Sequence, residues 1–134
     1  MIDIENEVFN AVATAIRAKY SKAFVTGEFV KSPSQFPCVS VMEVDNQVYR
    51  NTRSSSETEN HAQLRYEINV YTNDTKGKKT KGRDILNCAD EVMKSLGFTR
   101  IMARPVPNEQ DATIFRMVGR YRALVDNNHT IYRR

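Results

Sequence analysis

Apolar residues along this chain switch between a helical and an extended rhythm, and each switch marks an element. Val8, Val12 and Ile16 recur every four residues with Phe9 beside them, while Asn6, Asn10, Thr14 and Arg17 occupy much of the remainder. This spacing predicts a helix over 3–19 with one apolar face, capped by Asp3 and carrying Glu5 and Glu7 in its positive first turn. A short extended segment at 23–30 has Val25 and Phe29 on one side, and Lys31, Ser32, Pro33 and Ser34 then make a turn. Phe36 and Pro37 lead into residues 38–50, where Val39, Val41, Met42, Val44, Val48 and Tyr49 are apolar on both faces at first and polar around Asp45, Asn46 and Gln47. That is an inner strand that becomes exposed or bends near Asp45.

Residues 51–60 hold no large apolar side chain and read as a mobile loop. The clearest alternation follows: Ala62, Leu64, Tyr66, Ile68 and Val70 interleave with His61, Gln63, Arg65, Glu67, Asn69 and Tyr71, the pattern of a long strand with one buried face. A basic segment, Lys76 to Arg83, leads into a second helix with Ile85, Ala89, Val92 and Leu96 on one face. Gly97 suits its left-handed terminus, Phe98 can pack back on Met93, and Lys94 lies favourably near the helix end. Residues 98–104 and 112–125 read as a hairpin joined through 105–111. On the later strand Phe115, Met117, Tyr121, Ala123 and Val125 share a face, with Gly119 leaving a gap, and Arg116, Arg120 and Arg122 share the other.

The predicted fold is α+β: a mostly antiparallel or mixed sheet of about five strands with two packed helices, in the order α-β-β-β-α-β-β. A single domain covers 1–125, and 126–134 form a tail that is loose unless something holds it. The 134 residues, 40% hydrophobic and 27% charged, fit one ordinary globular core and neither wholesale disorder nor a membrane protein. No apolar run approaches the roughly 20 residues of a membrane span. A net charge of +4 permits acidic partners without demanding them. Cys38 and Cys88 read as reduced, buried thiols, although sequence carries no geometry that decides whether they pair.

Catalytic chemistry finds little support. His61 and His129 have no convincing partner in sequence, and no Cys/His cluster has zinc spacing, so no metal or cofactor is expected. Gly77, Lys78, Lys79 and Thr80 imitate a phosphate loop, but Lys79 separates the motif's Lys from its Thr and no glycine stands five residues upstream. Ser54, Ser55 and Ser56 lie near Glu57 and Glu59 without any placement of a base against a hydroxyl. Tyr66, Tyr71 and Tyr121 with the arginines of 116–122 invite a nucleic-acid reading, but Tyr66 and Tyr121 fall on predicted core faces and arginine is also favoured at protein interfaces.

Four phrases carry a resemblance. They are Phe36 to Val41, the loop end Thr58 to His61, the strand Tyr66 to Tyr71, and Asp111 to Met117. Together they resemble the tail-terminator proteins, also called tail-completion or minor capsid proteins, of long-tailed phages and prophages of Gram-positive bacteria, over Ile2 to about Val125. The resemblance implies a structural virion protein of the neck, made in the host cytoplasm. It would form a ring, usually a homohexamer, on the last ring of the tail tube protein and present a surface to a head-completion or connector protein. DNA would pass through the lumen without sequence-specific binding, and neither an enzymatic activity nor a membrane is implied.

A closed ring needs two different patches on each subunit, which loops and strand edges can supply. On that expectation the partner-interface candidates are Arg50 just before residues 51–60, Arg53, Glu57 and Glu59 within them, and Lys76, Lys78, Lys79, Lys81 and Arg83 in 74–83, both segments read as long polar loops. Arg116, Arg120 and Arg122 are candidates for a subunit interface or the lumen. Another neck component, or a small nucleic-acid-binding domain, are the competing readings.

Overall fold

The computed structural model describes residues 1–48, 61–108 and 111–132. Helix α1 (Glu5–Lys19) precedes strands β1 (Phe24–Thr26), β2 (Cys38–Val48) and β3 (His61–Thr72); helix α2 (Lys78–Leu96) follows, then β4 (Thr99–Pro105), β5 (Phe115–Asp126) and β6 (Ile131–Tyr132). The strands make one mixed sheet ordered β1-β2-β3-β5-β4, with β6 also paired to β5. Among the described residues β1 pairs parallel with β2, and the other pairings are antiparallel. The α+β class and the order of the elements are those the spacing predicts, with the two-residue β6 added.

Alternation along β3 sends Ala62, Leu64, Tyr66, Ile68 and Val70 to one face, where all five are buried. Register sets Val125, Ala123, Tyr121, Gly119 and Met117 of β5 against them. Both helices pack on this face, α1 through Val8, Val12, Ala13 and Ile16 and α2 through Gly82, Ile85, Leu86, Ala89 and Met93. The molecule is thus two layers, helices over sheet. Because α2 touches both α1 and the sheet, its buried stripe is wide, and Val92 and Leu96 lie half-buried at the margin.

Several expectations shift in detail. α1 begins at Glu5 because Ile2 and Ile4 are buried and anchor the chain first; Asp3 Oδ1 still accepts the Glu5 N–H at 3.0 Å, but Ile4 occupies the cap position. The first strand stops at Thr26, whose Oγ1 accepts the Glu28 N–H at 3.2 Å and turns the chain outward, leaving Phe29 72% exposed. β2 bends where expected, with a register shift between Glu43 and Asp45. The second face of β3 is also buried near its end, at Asn69 and Tyr71.

The left-handed Gly97 ends α2 at φ 103°, its N–H donating to Lys94 O while the Phe98 N–H donates to Met93 O. Phe98 then meets Tyr66 edge-on, ring centroids 5.3 Å apart. The segment after β5 is held: Asp126 Oδ1 accepts the N–H groups of Asn128 and Thr130, and Ile131 returns to pair with Val125 and pack against the core. No described helix is long and apolar enough to cross a membrane.

Candidate functional site

The sheet face turned away from the helices collects the polar alternates. In antiparallel strands directly opposed residues share a face. Across β3 and β5 the opposed pairs are Tyr71 with Arg116, Asn69 with Val118, Glu67 with Arg120, and Arg65 with Arg122. β4 adds Arg104 opposite Val118 and Met102 opposite Arg120. Part of this face is a groove of about 410 Å³, walled by Val44, Ile101 and Val118 and rimmed by Arg65, Arg104 and Arg120.

A hydrogen-bonded chain crosses this face. Arg120 Nε donates to Glu67 Oε1 at 2.9 Å, Asn69 Nδ2 donates to Glu67 Oε2 at 3.0 Å, and Arg116 Nε donates to Asn69 Oδ1 at 2.9 Å. The Arg116 guanidinium lies 5.7 Å from the centre of the Tyr71 ring, and the Tyr71 hydroxyl donates to Val30 O at 3.2 Å. Burial raises the Tyr71 hydroxyl pKa and the Arg116 charge opposes that rise. Glu67 is therefore engaged by Arg120 and Asn69, whereas Arg65 and Arg122, both exposed, stand directly opposite each other. Like charges so placed repel.

The predicted site residues are dispersed. Arg50, Arg53, Glu57 and Glu59 lie outside the described residues. Residues 74–83 are not one long loop: Lys78 to Arg83 form the first turns of α2. Lysines at a positive helix start disfavour helix there, and tertiary ties override that preference. Thr72 Oγ1 donates to Lys78 O at 2.7 Å, Lys78 Nζ to Thr113 O at 3.0 Å, and Lys81 Nζ lies 3.3 Å from Asp74 Oδ2. Lys76, Lys79 and Arg83 are exposed, Lys76 just before the helix and the other two on it. Arg116, Arg120 and Arg122 do share one face, as the alternation predicts, and the fold brings Arg65 and Arg104 to them. Sequence reading missed those two as site residues. Arg65 carries a signal, since it occupies the polar parity of β3, but only the β3–β5 register aligns it with Arg122.

Ser54, Ser55 and Ser56 lie outside the described residues, and among the described residues the other candidate chemistry is not assembled. Tyr66, Tyr71 and Tyr121 are all buried, at 0%, 4% and 1% exposure, so none offers a ring for a base to stack on. Tyr121 instead donates to Asp90 Oδ1 at 2.9 Å. His61 is half-buried at the start of β3, and His129 Nδ1 lies 3.1 Å from Glu7 Oε1. Among the described residues no group of three or more His, Cys, Asp or Glu is placed to hold a metal. The cysteines are unpaired; Cys38 is buried, which pushes its thiol up to about 11, and Cys88 is half-buried against Ala15 O. No family model matches the chain, and no curated protein matches it.

Proposed function

We propose that this protein is a structural component of a phage neck that caps the tail tube as a ring and provides the surface for head–tail joining. The observation that carries this reading is the open sheet face, where arginines surround an apolar-walled groove beside β4, an edge of the sheet. A surface of mixed arginine and aliphatic character suits contact between proteins. The tail-terminator resemblance adds support, because the described residues of its phrases fall on β2, β3 and β5 and the segments just before β2 and β5, and these strands are consecutive neighbours in the sheet. Partners on this reading are further copies of the chain, the tail tube protein and a connector protein.

Deleting the gene from its phage or prophage and imaging the particles tests the proposal. Filled heads beside unjoined tails of uncontrolled length are expected. Complete particles, or tails of fixed length beside tailless heads, would overturn it and favour an accessory or connector role.

A further inference from the structure

The open face has a complement elsewhere on the same chain. Asp3, Glu5 and Glu7, all exposed, gather at the start of α1. Asn46 Nδ2 donates to Ile2 O at 2.8 Å and so pins this corner to β2 beside Asp45. Glu43 belongs to the same corner: burial raises its carboxyl, and the charges of Glu5 and Asp3 raise it further. One corner of the molecule is thus rich in carboxylates, while the open face gathers Arg65, Arg104, Arg116, Arg120 and Arg122 around Glu67, which Arg120 and Asn69 already engage.

We infer that the arginine face of one copy docks the acidic α1 corner of the next, a head-to-tail contact between two different patches. This deepens the ring reading and rests on it. The juxtaposition of Arg65 with Arg122 is the central point. Arg65 is opposed to Arg122 across β5 and to Asp45 across β2, and the Asp45 carboxylate already accepts from the Asn46 N–H and Gln47 Nε2. The two guanidinium groups therefore still repel in the isolated subunit, and carboxylates brought by a neighbour convert that repulsion into charge-assisted hydrogen bonds. Val44 and Ile101, 48% and 44% exposed, give the contact apolar area between the charges. Because the two patches differ, the contact propagates from copy to copy and closes if the rotation between copies permits. A nucleic acid could use the same arginines, but the groove's aliphatic walls and the burial of Tyr66, Tyr71 and Tyr121 favour a protein occupant.

Charge exchange tests the inference. One variant reverses the face (Arg65→Glu with Arg122→Glu) and another reverses the corner (Glu5→Lys with Glu7→Lys). Sedimentation at low salt should show the wild type self-associating and each variant weakened by at least about tenfold. Mixing the two variants should restore association, because each then offers the charge the other needs. Glu5→Gln with Glu7→Gln serves if the lysine variant melts early, and should weaken association in the same direction. A wild type that stays monomeric, variants that associate like the wild type, or a mixture no better than its parts would each overturn the docking. So would binding of a DNA duplex that is lost in the face variant while the corner variant self-associates normally. Complementing the deletion strain separates the two levels: if both variants restore tails of fixed length, this contact is wrong and the terminator reading stands, whereas a deletion without phenotype removes the reading itself.

Discussion

The two faces of one sheet, built from the same strands, differ in what completes them. On the helix side Ala62, Leu64, Tyr66, Ile68 and Val70 meet apolar partners from β5, α1 and α2 within the chain. On the other side the intervening residues meet one another, and the sum is uneven: Arg120 finds Glu67, Arg116 finds Asn69, and Arg65 stands between Arg122 and Asp45. Stability therefore resides in the first face, and the second is left with exposed charge. The same alternation that fills a core arms a surface.

The largest effect that would sharpen this contrast is in the core. Ile68→Ala should cost about 2–5 kcal/mol, through lost burial and a cavity in the core, read by chemical denaturation. A value near zero would mean that the helix side does not carry the stability. Next comes the junction of α2 and β4. Gly97→Val should cost about 1 kcal/mol or more, since φ is 103° and an added Cβ would come within 3.0 Å of the Ile131 side chain, a loss that thermal melts would register.

A smaller effect belongs to Glu43 at the rim of the core. Burial holds its carboxyl above the ordinary range, so the folded protein retains a proton the unfolded chain has already lost. Native protein then binds more protons, and stability falls as pH rises from the ordinary glutamate value through the raised one. Glu43→Gln lacks that decline, so its melting temperature relative to wild type should climb across this window in paired melts. The smallest effect is expected on the open face. Arg122→Ala should change the stability of the monomer by no more than about 0.5 kcal/mol while weakening self-association in sedimentation. A large loss of stability there would break the division between the faces.

Much of the fold was legible because side-chain period is a local property. The four-residue recurrence of Val8, Val12 and Ile16, the alternation from Ala62 to Val70, the bend near Asp45 and the Gly97 terminus each depend on a few neighbouring residues. The start of α2 was not legible, since Lys78, Lys79 and Lys81 argue locally against a helix, whereas Lys78 is tied to Thr72 and Thr113 and Lys81 to Asp74. Nor was the hold on the C-terminal segment legible, because it needs Ile131 to reach the core beside Gly97.

The sequence by itself determined the α+β class, the order of the elements and which residues of each strand share a face, because burial selects a period that can be counted along the chain. It also placed Arg116, Arg120 and Arg122 together, two or four residues apart on one strand. Only the tertiary structure decided that β5 lies between β3 and β4, that both helices cover the same side, and that Arg65 and Arg104 join the other arginines. Strand register is a relation between distant segments, set by which apolar faces can be buried together, and the charge pattern of the open face is its consequence.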